Sequence, residues 1–117
     1  YTCFVREDTV IPMMYMSDCI RATIGIMDAD FSKLSVRTSY NLSALSFTVK
    51  ELTREIQKYY PKFKVEYSPD FRQAIADSWP NSIDDSVARL DWGWEHEYDL
   101  VKTTEAMIEN LKKKFNR

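Results

Sequence analysis

Gly25 and Gly93 are the only two glycines in 117 residues. A loop that wraps a dinucleotide pyrophosphate, or cradles a nucleoside triphosphate, needs glycines a few positions apart so that the backbone can approach the phosphates. Two glycines this distant cannot build one, so the chain alone is expected not to hold NAD by that route. The length suits one small domain with a modest core, and residues 1–117 read as a single unit. A net charge of −2 gives no basic face for nucleic acid. No apolar run reaches the roughly 18 residues of a membrane span. Cys3 and Cys19 read as two reduced thiols rather than a disulfide framework. His96, the single histidine, has no second His or Cys at ligand spacing, so no metal site is expected. Tyr1 stands where a start methionine would be and reads as an internal starting point, which leaves targeting unobservable.

The local patterns predict four helices with short strands between them. Thr2–Arg6 is short, apolar and aromatic. Val10–Met16 is an apolar run of strand length, with Pro12 arguing for an edge. Ser17 is placed to cap a helix running to about Ala29, with Asp18 in its first turn. Cys19, Ile20, Thr23, Ile24 and Met27 form that helix's expected buried face, widened by Ala22 and Ile26. Ser35–Leu42 alternates as a strand. Thr48 and Glu51 form a capping box for a helix that Pro61 stops. Phe63, Val65 and Tyr67 alternate as a half-buried strand. The segment from Ser68 to Ser82 reads as irregular. Ser82 with Asp85 opens a helix carrying Ile83, Val87 and Leu90, and Gly93 ends it. Asp99 caps the last helix, with Leu100, Met107, Ile108, Leu111 and Phe115 inward and Lys112–Lys114 at its C-terminal end.

Pro69–Trp94, PDFRQAIADSWPNSIDDSVARLDWGW, holds all three tryptophans, Trp79, Trp92 and Trp94, together with Arg72, Asp77 and Asp84. So much aromatic area mixed with charge is unusual for a surface loop. Trp79 follows the polar pair Asp77–Ser78 and precedes Pro80, and in the assembled enzyme it is expected to face the substrate cleft. Trp92 and Trp94 flank a helix-ending glycine close to Leu90 and are expected in the core. Two Tyr-x-x-x-Lys spacings, Tyr98/Lys102 and Tyr60/Lys64, match a proton-shuttling pair. Neither pair is expected on one helical face, because Tyr98 precedes its helix and Pro61 separates Tyr60 from Lys64.

The blocks RQAIADSWPNSIDDSVARLDWGW (Arg72–Trp94), PMMYMSDCIRATI (Pro12–Ile24) and SYNL (Ser39–Leu42), the last followed by SFTVKEL, resemble the C-terminal part of L-threonine 3-dehydrogenases of the extended short-chain dehydrogenase type. The resemblance covers nearly the whole chain. It implies an α/β fold class, here the C-terminal substrate-binding lobe, with the nucleotide-binding Rossmann half absent from this chain. The complete enzyme would use NAD to oxidise L-threonine to 2-amino-3-oxobutanoate. The catalytic tyrosine, lysine and serine or threonine would lie upstream of Tyr1, so no catalytic residue is expected here. The region matching Arg72–Trp79 lies beside the substrate in that family. Arg72, Asp77 and Trp79 are therefore the candidate substrate-lining residues: a cation, an anion and a water-excluding ring for a small zwitterion. The resemblance further implies a homodimer and, for animal members, a mitochondrial location. An epimerase-like relative is the alternative. Nucleotide-sugar epimerases carry an arginine at the position of Ile11, where it meets the diphosphate, and an aliphatic residue cannot do that. A non-catalytic binding lobe is the reading from another class.

Overall fold

The structure, a computed structural model, describes residues 1–115. Among the described residues, two small two-stranded sheets and five helices make up the fold. Strand β1 (Thr2–Cys3) pairs in parallel with β4 (Glu66–Tyr67). Strand β2 (Val10–Met13) pairs antiparallel with β3 (Leu45–Thr48), Val10 opposite Thr48 and Met13 opposite Leu45. The helices are α1 (Met16–Asp28), α2 (Val49–Tyr59), α3 (Arg72–Asp77), α4 (Ser86–Trp92) and α5 (Leu100–Phe115), with a single 3-10 turn at Phe31–Lys33.

The capping box of α2 is formed in full. Glu51 donates its backbone N–H to the Thr48 hydroxyl, and its carboxylate accepts from the Thr48 N–H at 2.7 Å. Asp99 caps α5 through the Lys102 N–H, 2.8 Å away. Several expectations are corrected. The helices number five, because Arg72–Asp77 coils within the stretch read as irregular: Asp70 accepts from the Arg72 and Gln73 amides and so starts a turn. Ser35–Leu42 makes no strand. Its polar groups are spent on Asp91 instead, whose Oδ2 accepts from the Ser35 N–H, the Ser35 hydroxyl and the Tyr40 hydroxyl at 2.6–2.8 Å. Helix α1 begins at Met16 with Tyr15 at the cap and no side-chain cap bond, so Ser17 does not cap it.

The buried face of α1 also differs. Asp18 and Ala22 point inward, while Ile20, Ile24 and Met27 are more than half exposed. Small residues on the inner face let neighbours come close: a Cβ on Gly25 would lie 3.1 Å from the Trp92 ring. Two separate cores result. One gathers Cys3, Val5 and Ala76 with Phe4, Val49, Val65 and Tyr67. The other gathers Ala22, Ala88 and Trp94 with Met14, Tyr40, Leu42 and Trp92. Leu90, Met107, Leu111 and Phe115, expected inward on α4 and α5, are exposed. The molecule is a plate of 52 × 36 × 19 Å, about two helix layers deep along its shortest axis. Its radius of gyration is 17.0 Å, against about 13 Å for a compact domain of this length. Its accessible surface is 8413 Å², against about 6,600 Å² for a globular monomer of this size.

Asp18 ties the second core together. Its side chain is 1% exposed. It accepts from the backbone N–H groups of Glu97 and Tyr98, at 3.0–3.2 Å, and from the Arg21 guanidinium at 2.8 Å. Burial pushes its pKa up, but the Arg21 hydrogen bond and the two amides push it down, and the net value lies below that of an ordinary aspartate. A carboxyl whose pKa is lower folded than unfolded stabilises fully above the unfolded value, about 4, and loses that contribution as pH falls through the folded value. Asp18→Asn is expected to expose the Glu97 and Tyr98 amides. Their hydrogen exchange should accelerate by one to two orders of magnitude, about 2 kcal/mol. The gap between variant and parent should narrow below about pH 4. Unchanged exchange at both amides would contradict this role.

Candidate functional site

The site is built on α3 and the turn that follows it. Phe71, Ile75 and Trp79 recur at four-residue steps and are all exposed, Trp79 by 54%. They make one apolar strip along the outer face of α3. Ala76, on the inner face, packs into the first core with Cys3 and Val5. The helix ends with Ser78 and Trp79 donating their N–H groups to Ile75 and Ala76, and Pro80 then bars another turn. Arg72 lies across the Phe4 ring, its guanidinium carbon 3.5 Å from the centroid. It also pairs with Asp70 at 2.6 Å, and the Asp70 hydrogen bond holds its pKa above the usual arginine value.

Arg72 and Asp77 do not pair with each other. Asp77 is gripped by Arg6, Nη2 to Oδ1 at 2.9 Å, and by Gln73, Nε2 to Oδ1 at 2.8 Å. The Arg6 hydrogen bond, followed by that of Gln73, lowers the Asp77 pKa. Of the three sequence candidates, Trp79 alone presents a large face with no charged partner across it among the described residues. Phe71 and Ile75 escaped the sequence reading, although the four-residue spacing from Phe71 through Ile75 to Trp79 carried the signal. Asp84 serves locally, accepting from the Ser86 N–H.

Trp79 is exposed, while Trp94 and Trp92 pack toward the second core as expected. Trp94 is 3% exposed and its indole N–H donates to the Ser43 carbonyl and to Asp85. Trp92 is half-buried beside it, ring centroids 6.0 Å apart, and the Tyr40 ring meets Trp92 edge to face at 6.3 Å. Neither Tyr-x-x-x-Lys spacing forms a pair: the Tyr98 ring stacks on Tyr15 while Lys102 donates to the Glu97 carbonyl. Lys112, not Lys64, approaches the Tyr60 ring.

Gly25 lies inside α1 against the Trp92 ring, and Gly93 ends α4 at φ +71°. The first serves packing and the second chain reversal. Among the described residues, no three His, Cys, Asp or Glu side chains gather as a metal site, and no helix is long and apolar enough to cross a membrane.

No protein-family model matches the chain. It is 50% identical over 109 residues to the mitochondrial L-threonine 3-dehydrogenase of Bos taurus, covering 92% of this chain and 29% of that protein. An uncharacterized epimerase/dehydratase of Staphylococcus haemolyticus is 49% identical over 115 residues, covering 97% and 36%. The GalE-like L-threonine dehydrogenase of Cupriavidus necator, solved in its apo form, superposes with a TM-score of 0.91 at 54% identity, covering 96% and 40%. This chain is homologous to the C-terminal part of the extended short-chain dehydrogenases. It spans about a third of the length of the curated relatives it matches. Dehydrogenases and epimerase/dehydratases of this type lie at equal distance from it, so overall identity does not choose between them.

The dinucleotide test has a direct measurement. Titrating NADH into the 117-residue chain and following its fluorescence should give no saturable binding in the micromolar range; saturation there would contradict the assignment of both glycines to packing and capping.

Proposed function

We propose that the chain is the substrate-binding lobe of an NAD-dependent L-threonine 3-dehydrogenase, which in its complete form oxidises L-threonine to 2-amino-3-oxobutanoate. The observation that carries the choice of substrate is Ile11. It lies on β2, opposite Phe47 of β3. An aliphatic side chain there offers nothing to a diphosphate, whereas the resemblance implies that nucleotide-sugar epimerases hold theirs with an arginine. The equal similarity to epimerase/dehydratases keeps an epimerase-like reading as the alternative.

In this proposal the substrate lies against the outer face of α3. Arg72 and Trp79 line it, Phe71 and Ile75 extend the apolar strip, and the Trp79 ring excludes water from a small zwitterion, while Asp77, the third candidate, is held on the Gln73 side of the helix by Arg6 and Gln73. NAD supplies the oxidation when bound, and it is held by residues outside this chain. What this chain contributes is binding, orientation and water exclusion, with no proton transfer assigned to its own residues. The homodimer that the resemblance implies would likewise form through residues beyond these. The mitochondrial location belongs to this reading for an animal source; relatives at the same identity are staphylococcal.

The complete protein, supplied with NAD and L-threonine, is expected to form NADH, and not to epimerise UDP-glucose or UDP-galactose. Trp79→Ala is expected to raise the KM for threonine about tenfold with the KM for NAD unchanged. Epimerisation of a nucleotide sugar without threonine oxidation would replace this reading with the alternative.

A further inference from the structure

Asp77 is the candidate whose carboxylate is already spoken for. Arg6 reaches it from the far side of the chain with both terminal nitrogens, Nη2 to Oδ1 at 2.9 Å and Nη1 to Oδ2 at 3.3 Å. Gln73 donates to the same Oδ1 at 2.8 Å. The Gln73 side chain is a hub in its own right. It belongs to a residue only 7% exposed, and its Oε1 accepts from the Arg6 N–H at 2.7 Å. Its Nε2 donates to the Thr9 hydroxyl at 3.1 Å, and Thr9 is itself buried. Four side chains and one backbone amide thus join the end of α3 to the turn Arg6–Thr9.

That turn is a firm base. Thr9 donates its N–H to the Arg6 carbonyl, and the Thr9 and Glu7 carbonyls accept from the Val49 and Lys50 amides at the start of α2. Arg6, Gln73 and Thr9 therefore fix Asp77 against α2 and β2, and Trp79 follows two residues later. A bidentate guanidinium–carboxylate pair sets direction as well as distance. Side chains that place a binding group act by keeping its geometry within a fraction of an ångström.

Resting on the reading of Trp79 as substrate-lining, we propose that Arg6, Gln73 and Asp77 are positioning residues that clamp the end of α3 and hold the Trp79 ring at the substrate, and that Asp77 is not the partner of the substrate ammonium. Breaking the clamp loosens where the ring sits and leaves the chemistry, carried elsewhere, intact. The signature is weaker substrate binding at an unaltered turnover.

The test uses the complete protein and the variants Arg6→Gln, Arg6→Lys and Asp77→Asn. Lys50→Gln is the control, since it breaks the Lys50–Glu7 pair, 3.0 Å, at the same end of α2 and leaves the clamp intact. Arg6→Gln and Asp77→Asn should raise the KM for L-threonine about five- to tenfold, with kcat within about twofold and the KM for NAD unchanged. Arg6→Lys should recover part of the loss, and Lys50→Gln should match the parent. Incorporated 5-fluorotryptophan gives a readout without substrate. The Trp79 resonance should shift and broaden in Arg6→Gln, while those of Trp92 and Trp94 keep their positions. An unmoved KM with an unmoved Trp79 resonance overturns the proposal. So does a parallel fall in kcat and in affinity for both substrates with all three resonances disturbed, which would mark a merely structural pair. If the parent itself leaves threonine unoxidised, the functional reading fails, and the fluorine spectrum alone then decides whether the clamp orders Trp79.

Discussion

The buried carboxylate of Asp18 is the contact on which this arrangement turns. It sits in the first turn of α1 and holds the amides of Glu97 and Tyr98, almost eighty positions later, where the chain leaves Trp94 and heads into α5. Arg21 completes the tie. It pairs with Asp18, donates to the Glu95 carbonyl, and lays its guanidinium 5.1 Å from the Trp94 ring centroid. Without that tie the Glu97 and Tyr98 amides would lose the acceptor they share, since the segment 94–98 belongs to neither sheet. A charge with no exposed surface is tolerable only because each of its bonds comes from a charged or oriented donor.

Around this tie the molecule is assembled from small residues. Ala22 and Ala88 are fully buried, and Gly25 admits the Trp92 ring. The large aliphatic side chains of α1 and α4 face out instead. At roughly 25 cal/mol per Å², several hundred Å² of such surface corresponds to on the order of 10 kcal/mol if it were covered, comparable with the whole stability of a small domain. The plate shape, the large radius of gyration and the two separate cores express the same arrangement: much of the apolar surface of this chain faces away from its own cores.

Local signals in the sequence were legible where a few neighbouring residues decide the outcome. The Thr48–Glu51 box, the Pro61 stop, the Asp99 cap and the left-handed Gly93 each involve chemistry within one turn. The tryptophans could be sorted by their immediate neighbours for the same reason. What could not be read were bonds across long separations. Asp18 looks like a helix-dipole residue until its partners at 97 and 98 are known. Ser35–Leu42 alternates like a strand, yet Asp91, more than fifty positions later, claims its hydrogen bonds. Asp77 looked free for a ligand because nothing near it in sequence announces Arg6. The buried faces of α1, α4 and α5 were misassigned on one assumption: apolar periodicity marks a face that will be covered, and it does not say by what.

The central claim is that the exposed apolar faces of α1, α4 and α5 need a cover that the chain itself does not supply. Sedimentation velocity combined with thermal melting of the isolated chain tests it most directly. The account predicts either a broad, weakly cooperative transition or a self-associated species that hides the apolar faces. A monomer that melts cooperatively above about 60 °C, high for a mesophile domain, would contradict it.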